Sequence, residues 1–268
     1  MVKGSFQPWQ RLLRALRGQV RRALPEALYP PNLLAQYVRR KTGHRILAGP
    51  FAGMLYLEHA TAHTAYFPKL LGIYEFECSP YIEMAANAPL DRVVNVGAAE
   101  GYYAVGLARR MPAVPVTAFE ASPEARESLA ALADLNGVRD RIAILGLCDS
   151  PALQAALEGS VSPLIICDID GGEATILDVR EVPGLARAWI LVETHDCFIP
   201  GVHASLRASF AATHEITSIP SRQRRSSDFP IHNWLTRLAP SLHLATVISE
   251  YRQVGNQWLW MEPRANAR

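Results

Sequence analysis

Residues 92–103 read Arg-Val-Val-Asn-Val-Gly-Ala-Ala-Glu-Gly-Tyr-Tyr, an apolar run followed by a glycine-containing turn and the start of a helical pattern. Small residues in such a turn let a ligand approach the backbone, and the first N–H groups of the helix are free to bind it. Ligands of open α/β sheets bind outside the carboxyl ends of the strands. This stretch therefore predicts a ligand site at the edge of a parallel sheet.

The chain after Asp91 alternates short apolar runs with helical stretches, which is typical of a parallel sheet with crossover helices. We predict strands at 92–96, 115–120, 141–147, 163–168 and 188–193, and helices near 101–111, 122–135, 150–158, 173–180 and 202–213. The runs 214–219 and 256–262 have no obvious helix between them, so we expect an antiparallel pair at the sheet edge. The predicted fold class is α/β: a Rossmann-like, doubly wound, mostly parallel sheet with an antiparallel edge strand pair, preceded by a basic helical N-terminal extension.

Composition and charge indicate a folded protein with two electrostatic characters. The 268 residues are 49% hydrophobic and 19% charged, close to the globular average. Residues 1–45 hold ten Lys and Arg against one acid, whereas the other 223 hold 17 against 24. No apolar run reaches the length of a transmembrane segment, and arginines stand where a signal peptide would be apolar, so we expect a cytoplasmic protein. Four cysteines without a C-x-x-C pair predict free thiols.

Three segments are predicted: a basic helical extension (1–45), a lead-in segment of short strands or loops (46–90) and the main domain (91–268). The extension has an apolar stripe opposite its arginines, which indicates packing on the body or on a second subunit in a homo-oligomer; attachment to a membrane surface or to nucleic acid is the alternative. In the lead-in, Tyr74, Glu75 and Glu77 are predicted as solvated loop residues, with the mouth of a site as the alternative. The segment 220–229 is predicted as a basic lip for the acceptor or as a mobile loop.

Carboxylates follow the second and third predicted strands. Glu120 stands 19 residues beyond Gly101, a spacing at which an acid can accept hydrogen bonds from both ribose hydroxyls of a nucleotide. Asp149 follows the third strand and can accept from an adenine amino group, cap the next helix, or do both. These positions predict that a nucleoside lies across the first three strand ends.

The fourth and fifth strand ends carry the densest charge. Asp168, Asp170 and Glu173 lie within six residues after one apolar strand, and Glu193 and His195 end the next. Like charges at such spacing are costly unless a cation, a ligand or shifted pKa values relieve them. The two strand ends therefore predict a reactive site in one crevice.

Two cofactors compete for the glycine turn. A nicotinamide dinucleotide site requires G-x-G-x-x-G, but here Ala99 and Tyr102 replace the second and third glycines, and the tyrosine ring would block the pyrophosphate. The shorter pattern acid-x-G-x-x-x-G, used for S-adenosylmethionine (SAM), matches residues 95–101 except for Asn95. The sequence favours SAM.

Four segments resemble those of the FkbM-type class I SAM-dependent methyltransferases: Val-Gly-Ala-Ala-Glu-Gly-Tyr-Tyr (96–103), Phe-Glu-Ala-Ser-Pro (119–123), Asp-Ile-Asp-Gly-Gly-Glu (168–173) and Val-Glu-Thr-His (192–195). The resemblance implies a methyltransferase that binds its cofactor through Asn95, Gly97, Ala98, Ala99, Gly101, Tyr102, Glu120, Ala121, Asp149 and Asp168. Gly97 to Tyr102 would hold the methionine part, Glu120 the ribose and Asp149 the adenine. Asn95 departs from the family's usual acid, which predicts affinity weaker by about fivefold.

Methyl transfer to a hydroxyl requires removal of a proton, and His195 is the candidate general base beside Asp168 and Asp170. The alternative is a histidine that only orders its loop. Asp168, Asp170 and Glu193 offer oxygen ligands for Mg²⁺, which predicts a metal-assisted variant. The expected reaction is O-methylation of a small molecule or glycan; a non-catalytic binding or scaffold protein and a nucleic-acid methyltransferase are the alternatives.

Overall fold

The computed structural model describes residues 30–58, 65–250 and 256–264. In these residues one sheet contains β1 (Arg92–Val96), β2 (Val116–Phe119), β3 (Ile142–Leu145), β4 (Pro163–Cys167), β5 (Trp189–Thr194), β6 (His214–Pro220) and β7 (Gln257–Pro263). The strand order is β3-β2-β1-β4-β5-β7-β6. Strands β1 to β5 are parallel, and β7 is antiparallel to both β5 and β6. The predicted fold class, with its antiparallel edge pair, is confirmed.

Helices cover both faces of the sheet. They are α1 (Pro30–Thr42), α2 (Tyr66–Leu71), α3 (Ser79–Asn87), α4 (Tyr102–Arg110), α5 (Pro123–Leu135), α6 (Ser150–Leu157), α7 (Glu173–Ile176), α8 (Val202–Phe210), α9 (Trp234–Leu238) and α10 (Ser241–Val247). Val93 belongs to the core cluster with α3, α4 and α5, and Val94 to the cluster with α6 and α8. Successive side chains of a strand point to opposite faces, so β1 contributes to both cores.

The lead-in segment contains helices, and the prediction of only short strands or loops at 46–90 is wrong for α2 and α3. Pro80 and Gly72 sit where helices tolerate them. Pro80 occupies the first turn of α3, where its missing N–H costs little, and Gly72 ends α2 in the left-handed conformation. An isolated antiparallel β-bridge, outside the named strands, joins Arg45 to Leu55.

One other predicted element is changed, and one lies outside the described residues. The helix expected at 173–180 ends at Ile176, because the Asp178 carboxylate accepts the Arg180 N–H at 2.9 Å in a local turn that competes with the helix. The apolar stripe predicted in the extension lies in residues 1–29, outside the described residues. The part of the extension that is described, α1, packs Leu34 and Val38 against α10. In the described ranges, no helix combines the length and the apolar character needed to cross a membrane.

Replacing Gly97 with alanine should destabilise the fold more than the same change at Gly137. Both glycines have positive φ angles, +76° and +65°, where a side chain costs about 1–2 kcal/mol. A Cβ atom on Gly97 would also lie 1.8 Å from the Asp168 carbonyl oxygen, whereas one on Gly137 would meet nothing within 4 Å. Urea unfolding measures the difference, and equal losses in the free energy of unfolding would contradict the clash.

Candidate functional site

A cavity of about 790 Å³ lies at the carboxyl ends of β1 to β5, where the strand order reverses between β1 and β4. This is the position at which doubly wound sheets bind ligands. Its walls come from the glycine turn, the strand ends, the lead-in segment and the chain before β7. The lining includes Lys69, Tyr74, Glu75, Val96, Gly97, Ala99, Glu100, Phe119, Glu120, Ala121, Leu147, Cys148, Asp168, Ile169, Asp170, Glu193, His195, Phe198, Glu250 and Asn256.

The glycine turn forms one wall through a close approach of backbones. The N–H groups of Gly97 and Ala98 both donate to the Phe119 carbonyl oxygen at 2.9 Å, so the turn is held against the end of β2. Of the residues predicted to bind the cofactor, Gly97 and Ala99 line the cavity. The predicted residues Ala98, Gly101 and Tyr102 are buried and are absent from the described lining. Their position is below the cavity surface, where they support the turn.

Glu120 is fixed at the end of β2 by backbone donors. One carboxylate oxygen accepts the Ala99 N–H at 2.8 Å and the other accepts the Ser122 N–H at 2.8 Å. Its neighbour Ala121 also lines the cavity. The carboxylate therefore joins the glycine turn to the start of α5, and it faces the space in which a ribose was predicted.

Asp149 and Asn95 lie outside the described lining. The Asp149 carboxylate caps α6 by accepting the Ala152 N–H at 2.8 Å, whereas its neighbours Leu147 and Cys148 form the cavity wall. Asn95 is only 2% exposed, and its amide Nδ2 donates to the Ile166 carbonyl oxygen at 3.4 Å. The side chain at position 95 thus lies between two strands rather than on the cavity surface.

Four carboxylates surround the His195 imidazole. Nδ1 is 2.5 Å from Oε1 of Glu173, and that same oxygen accepts the Gly171 N–H at 3.0 Å. On the cavity side, Nε2 is 3.3 Å from Asp170, 3.6 Å from Asp168 and 3.8 Å from Glu193. The structure brings together His195, Asp168, Asp170 and Glu193 as predicted from the two strand ends. Glu173 was predicted only as part of the charge that follows β4, without a role of its own; its place three residues after Asp170 gave no sign that it would turn inward and contact the histidine.

The charge cluster shifts two pKa values. Burial alone would lower the pKa of His195, but the hydrogen bond to Glu173 and the charges of Asp168 and Glu193 raise it to about 9. Burial raises the pKa of Asp168 well above its ordinary value, and the Glu193 and Glu75 carboxylates raise it further. At neutral pH His195 is therefore an imidazolium, which balances part of the negative charge.

The lead-in segment closes the other side of the cavity, contrary to the prediction of solvated loop residues. Tyr74 and Glu75 line it, and the Tyr103 hydroxyl donates to Oε2 of Glu75. Lys69 forms a buried ion pair with Glu100, which also accepts a hydrogen bond from the Tyr56 hydroxyl. Burial would raise the pKa of Glu100, but these two partners hold it below the ordinary value.

At Arg224, the segment 220–229 forms neither the basic lip nor the mobile loop that was predicted. The Arg224 guanidinium is fully buried, 2.6 Å from Glu77 and 2.7 Å from Glu250. Arg222 pairs with Asp228 at 2.7 Å, so both arginines bind acids of the chain itself. A buried guanidinium requires such partners, which explains why the Glu77 side chain is only 10% exposed.

The predicted metal ligands are only partly grouped. Ligand atoms of Asp168, Glu193 and His195 lie within 4.8 Å of one another. Asp170, the third predicted ligand, has a side chain that is 82% exposed, and its φ angle is +54°. The oxygens of Asp168 and Glu193 have the chemistry that Mg²⁺ accepts, but the third group of this cluster is a histidine.

No family model matches the chain, and no curated protein matches its sequence. It is similar to solved methyltransferases. A Podospora anserina methyltransferase bound to S-adenosylhomocysteine (SAH) is 13% identical, covers 97% of this chain and 99% of that chain, and gives a TM-score of 0.45. A Streptomyces achromogenes O-methyltransferase of tomaymycin synthesis, in complex with SAM, is 18% identical. The match covers 52% of this chain and 70% of that chain, with a TM-score of 0.40. A Thermotoga maritima SAM-dependent O-methyltransferase is 13% identical. The match covers 68% of this chain and 63% of that chain, with a TM-score of 0.43. These likenesses are distant, and the FkbM resemblance stays a prediction.

Glu173→Gln should lower the pKa of His195 from about 9 towards its ordinary value of 6.5, because it removes the main interaction that raises it. A raised histidine pKa stabilises the fold fully below pH 6.5, and this contribution is lost as the pH rises through about 9. The pH dependence of stability over that window should therefore weaken in the variant. NMR titration of the imidazole, assigned with His195→Gln, measures the pKa. Glu181→Gln, an exposed change in the same region, is the control; an unchanged pKa in Glu173→Gln would contradict the assignment.

Proposed function

We propose that this chain is a SAM-dependent methyltransferase that methylates a hydroxyl oxygen of a small molecule or glycan. The observation that carries the proposal is the position of Glu120. Its carboxylate lines the cavity at the end of the second strand, beside a glycine turn that begins a helix. That is where doubly wound folds hold the ribose of a nucleotide cofactor.

The remaining walls fit the other parts of SAM. Gly97 lets the turn approach the Asp168 carbonyl, so the glycine turn and the end of β4 form adjoining walls of the cavity, against which the methionine chain would lie. Leu147 and Cys148 offer an apolar wall for the adenine, beyond Glu120. In this arrangement Asp168, at the end of β4, would lie beside the positively charged sulfur.

The charge of the cavity distinguishes SAM from a dinucleotide. Seven acids line it in the described residues: Glu75, Glu100, Glu120, Asp168, Asp170, Glu193 and Glu250. The basic groups of that lining are Lys69 and His195. A pyrophosphate would be repelled there, whereas a sulfonium is attracted. The same acidity disfavours a nucleic-acid acceptor, which carries a phosphate at each nucleotide.

When bound, the cofactor supplies a methyl group on a positively charged sulfur. The chain must then orient an acceptor hydroxyl and take its proton. Glu173 holds Nδ1 of His195, so Nε2 is the atom that faces the cavity. A second positive charge nearby lowers the pKa of an imidazolium below the value of about 9 found here. His195 can then lose its Nε2 proton and act as the base, with Asp168 and Asp170 beside it. The sulfonium of the bound cofactor would supply positive charge among the acids, so the proposed reaction does not require Mg²⁺.

Glu120→Gln should weaken the binding of SAM and SAH by about 10- to 100-fold, because charge-assisted hydrogen bonds to the ribose are each worth about 1.5–3 kcal/mol. Isothermal titration calorimetry measures the affinities. The control is Glu127→Gln, which removes an exposed carboxylate of α5 outside the cavity and should leave them unchanged. Equal affinities in Glu120→Gln and the wild type would remove Glu120 from the site. Failure of the wild type to bind either ligand at millimolar concentration would favour a non-catalytic binding protein.

His195→Gln should reduce turnover about 100-fold, since that is the usual contribution of a general base. SAH release, measured with a panel of hydroxylated small molecules and glycans, identifies the acceptor and gives the rate. The control is His232→Gln, an exposed histidine outside the cavity. The wild-type rate should rise with pH as the imidazole loses its proton, and it should survive extensive chelation. Loss of activity with EDTA that Mg²⁺ restores would establish the metal-assisted variant instead.

A further inference from the structure

The strand order indicates which end of the cavity receives the amino-acid part of SAM in the proposed complex. Across the sheet, β3 with its apolar wall is followed by β2 with Glu120 and by β1 with the glycine turn. Neighbouring strands are about 4.8 Å apart, so a nucleoside that spans the ends of β3 and β2 directs the methionine chain towards β1. The amino and carboxylate groups at its end then lie by the last residues of the turn, next to Glu100.

Lys69 reaches this place from α2 of the lead-in segment. Its Nζ donates a hydrogen bond to Oε1 of Glu100, and the two residues are only 4% and 1% exposed. The ammonium is also 4.6 Å from the ring centre of Tyr74 and 5.6 Å from that of Tyr102. Lys69 nevertheless lines the cavity. Its three contacts hold a positive charge in a fixed position at the cavity surface.

A carboxylate that enters this acidic cavity needs a cationic partner, because a buried unpaired charge is strongly unfavourable. Of the lining residues that the structure describes, Lys69 and His195 are the basic ones. His195 lies at the end of β5 among Asp168, Asp170 and Glu193, at the reacting end of the cavity. Lys69 is the one beside the glycine turn. An ammonium has three N–H donors, of which Glu100 takes one.

We propose that Lys69 binds the carboxylate of the methionine part of SAM, an inference that rests on the proposed function. Lys69 then determines cofactor specificity: it favours a cofactor with an intact amino-acid end over the same molecule without its carboxylate. The positive charge of Lys69 also offsets the repulsion between that carboxylate and the seven acids of the lining.

Calorimetry with SAM and with decarboxylated SAM tests this assignment without any need for turnover. The wild type should bind SAM about 10- to 100-fold more tightly, the range expected for one charge-assisted hydrogen bond. Lys69→Met should lose this preference or reverse it, since the decarboxylated molecule carries one more positive charge and the cavity is acidic. Comparing two ligands on one variant cancels general effects of the substitution on the site.

Two further variants control the experiment. Lys41→Met removes an exposed lysine at the end of α1 and should keep the wild-type preference. Lys69→Met leaves Glu100 buried without its cation, which can prevent folding. The double variant Lys69→Met/Glu100→Gln removes both charges of the pair, and it should show the same loss of preference in a folded protein.

The outcomes separate the inference from the function on which it rests. If the wild type binds both ligands equally, or if the Lys69 variants keep the preference, the Lys69 assignment is overturned while SAM binding stands. If the wild type binds neither ligand, the proposed function and the inference both fail.

Discussion

The contact between Gly97 and the Asp168 carbonyl is the constraint on which the site depends. The end of β1 approaches the end of β4 so closely that a single Cβ atom would lie 1.8 Å from that oxygen. Because a glycine allows this approach, the turn after β1 and the acidic segment after β4 form adjoining walls of one cavity. A side chain at position 97 would separate the part of the site suited to a cofactor from the part suited to proton transfer.

Charge balance explains the rest of the arrangement. The cavity gathers seven acids, and the energy of that crowding is reduced by cations from distant parts of the chain: Lys69 beside Glu100, His195 beside Glu173, and Arg224 beside Glu250. Lys69 and His195 line the cavity, whereas Arg224 lies outside its described lining. The site is thus acidic enough to attract a sulfonium and still compatible with a stable fold.

The sequence predicts the parts of the site that lie on the regular sheet. Strand β1 was predicted at 92–96 as observed, because its apolar residues and the glycines that follow are a local pattern. The grouping of Asp168, Asp170, Glu193 and His195 follows from parallel strands that end at one edge. The role of Lys69 and Glu75 could not be predicted, because their segment reaches the cavity through tertiary contacts. The spacing of residues along the sequence does not indicate such contacts. The pairing of His195 with Glu173 depends on a four-residue helix whose length the sequence overstates.

The buried Arg224 joins two segments that are far apart in the chain. It pairs with Glu77 of the lead-in and with Glu250 of the stretch before β7, and both segments border the cavity, which Glu75 and Glu250 line. Separating them would leave a buried charge without its partner, at a cost of about 3–5 kcal/mol. At equilibrium the separated form then accounts for less than about one molecule in a hundred. This side of the cavity is consequently a fixed wall. Ligands must enter and leave while the two segments remain in contact.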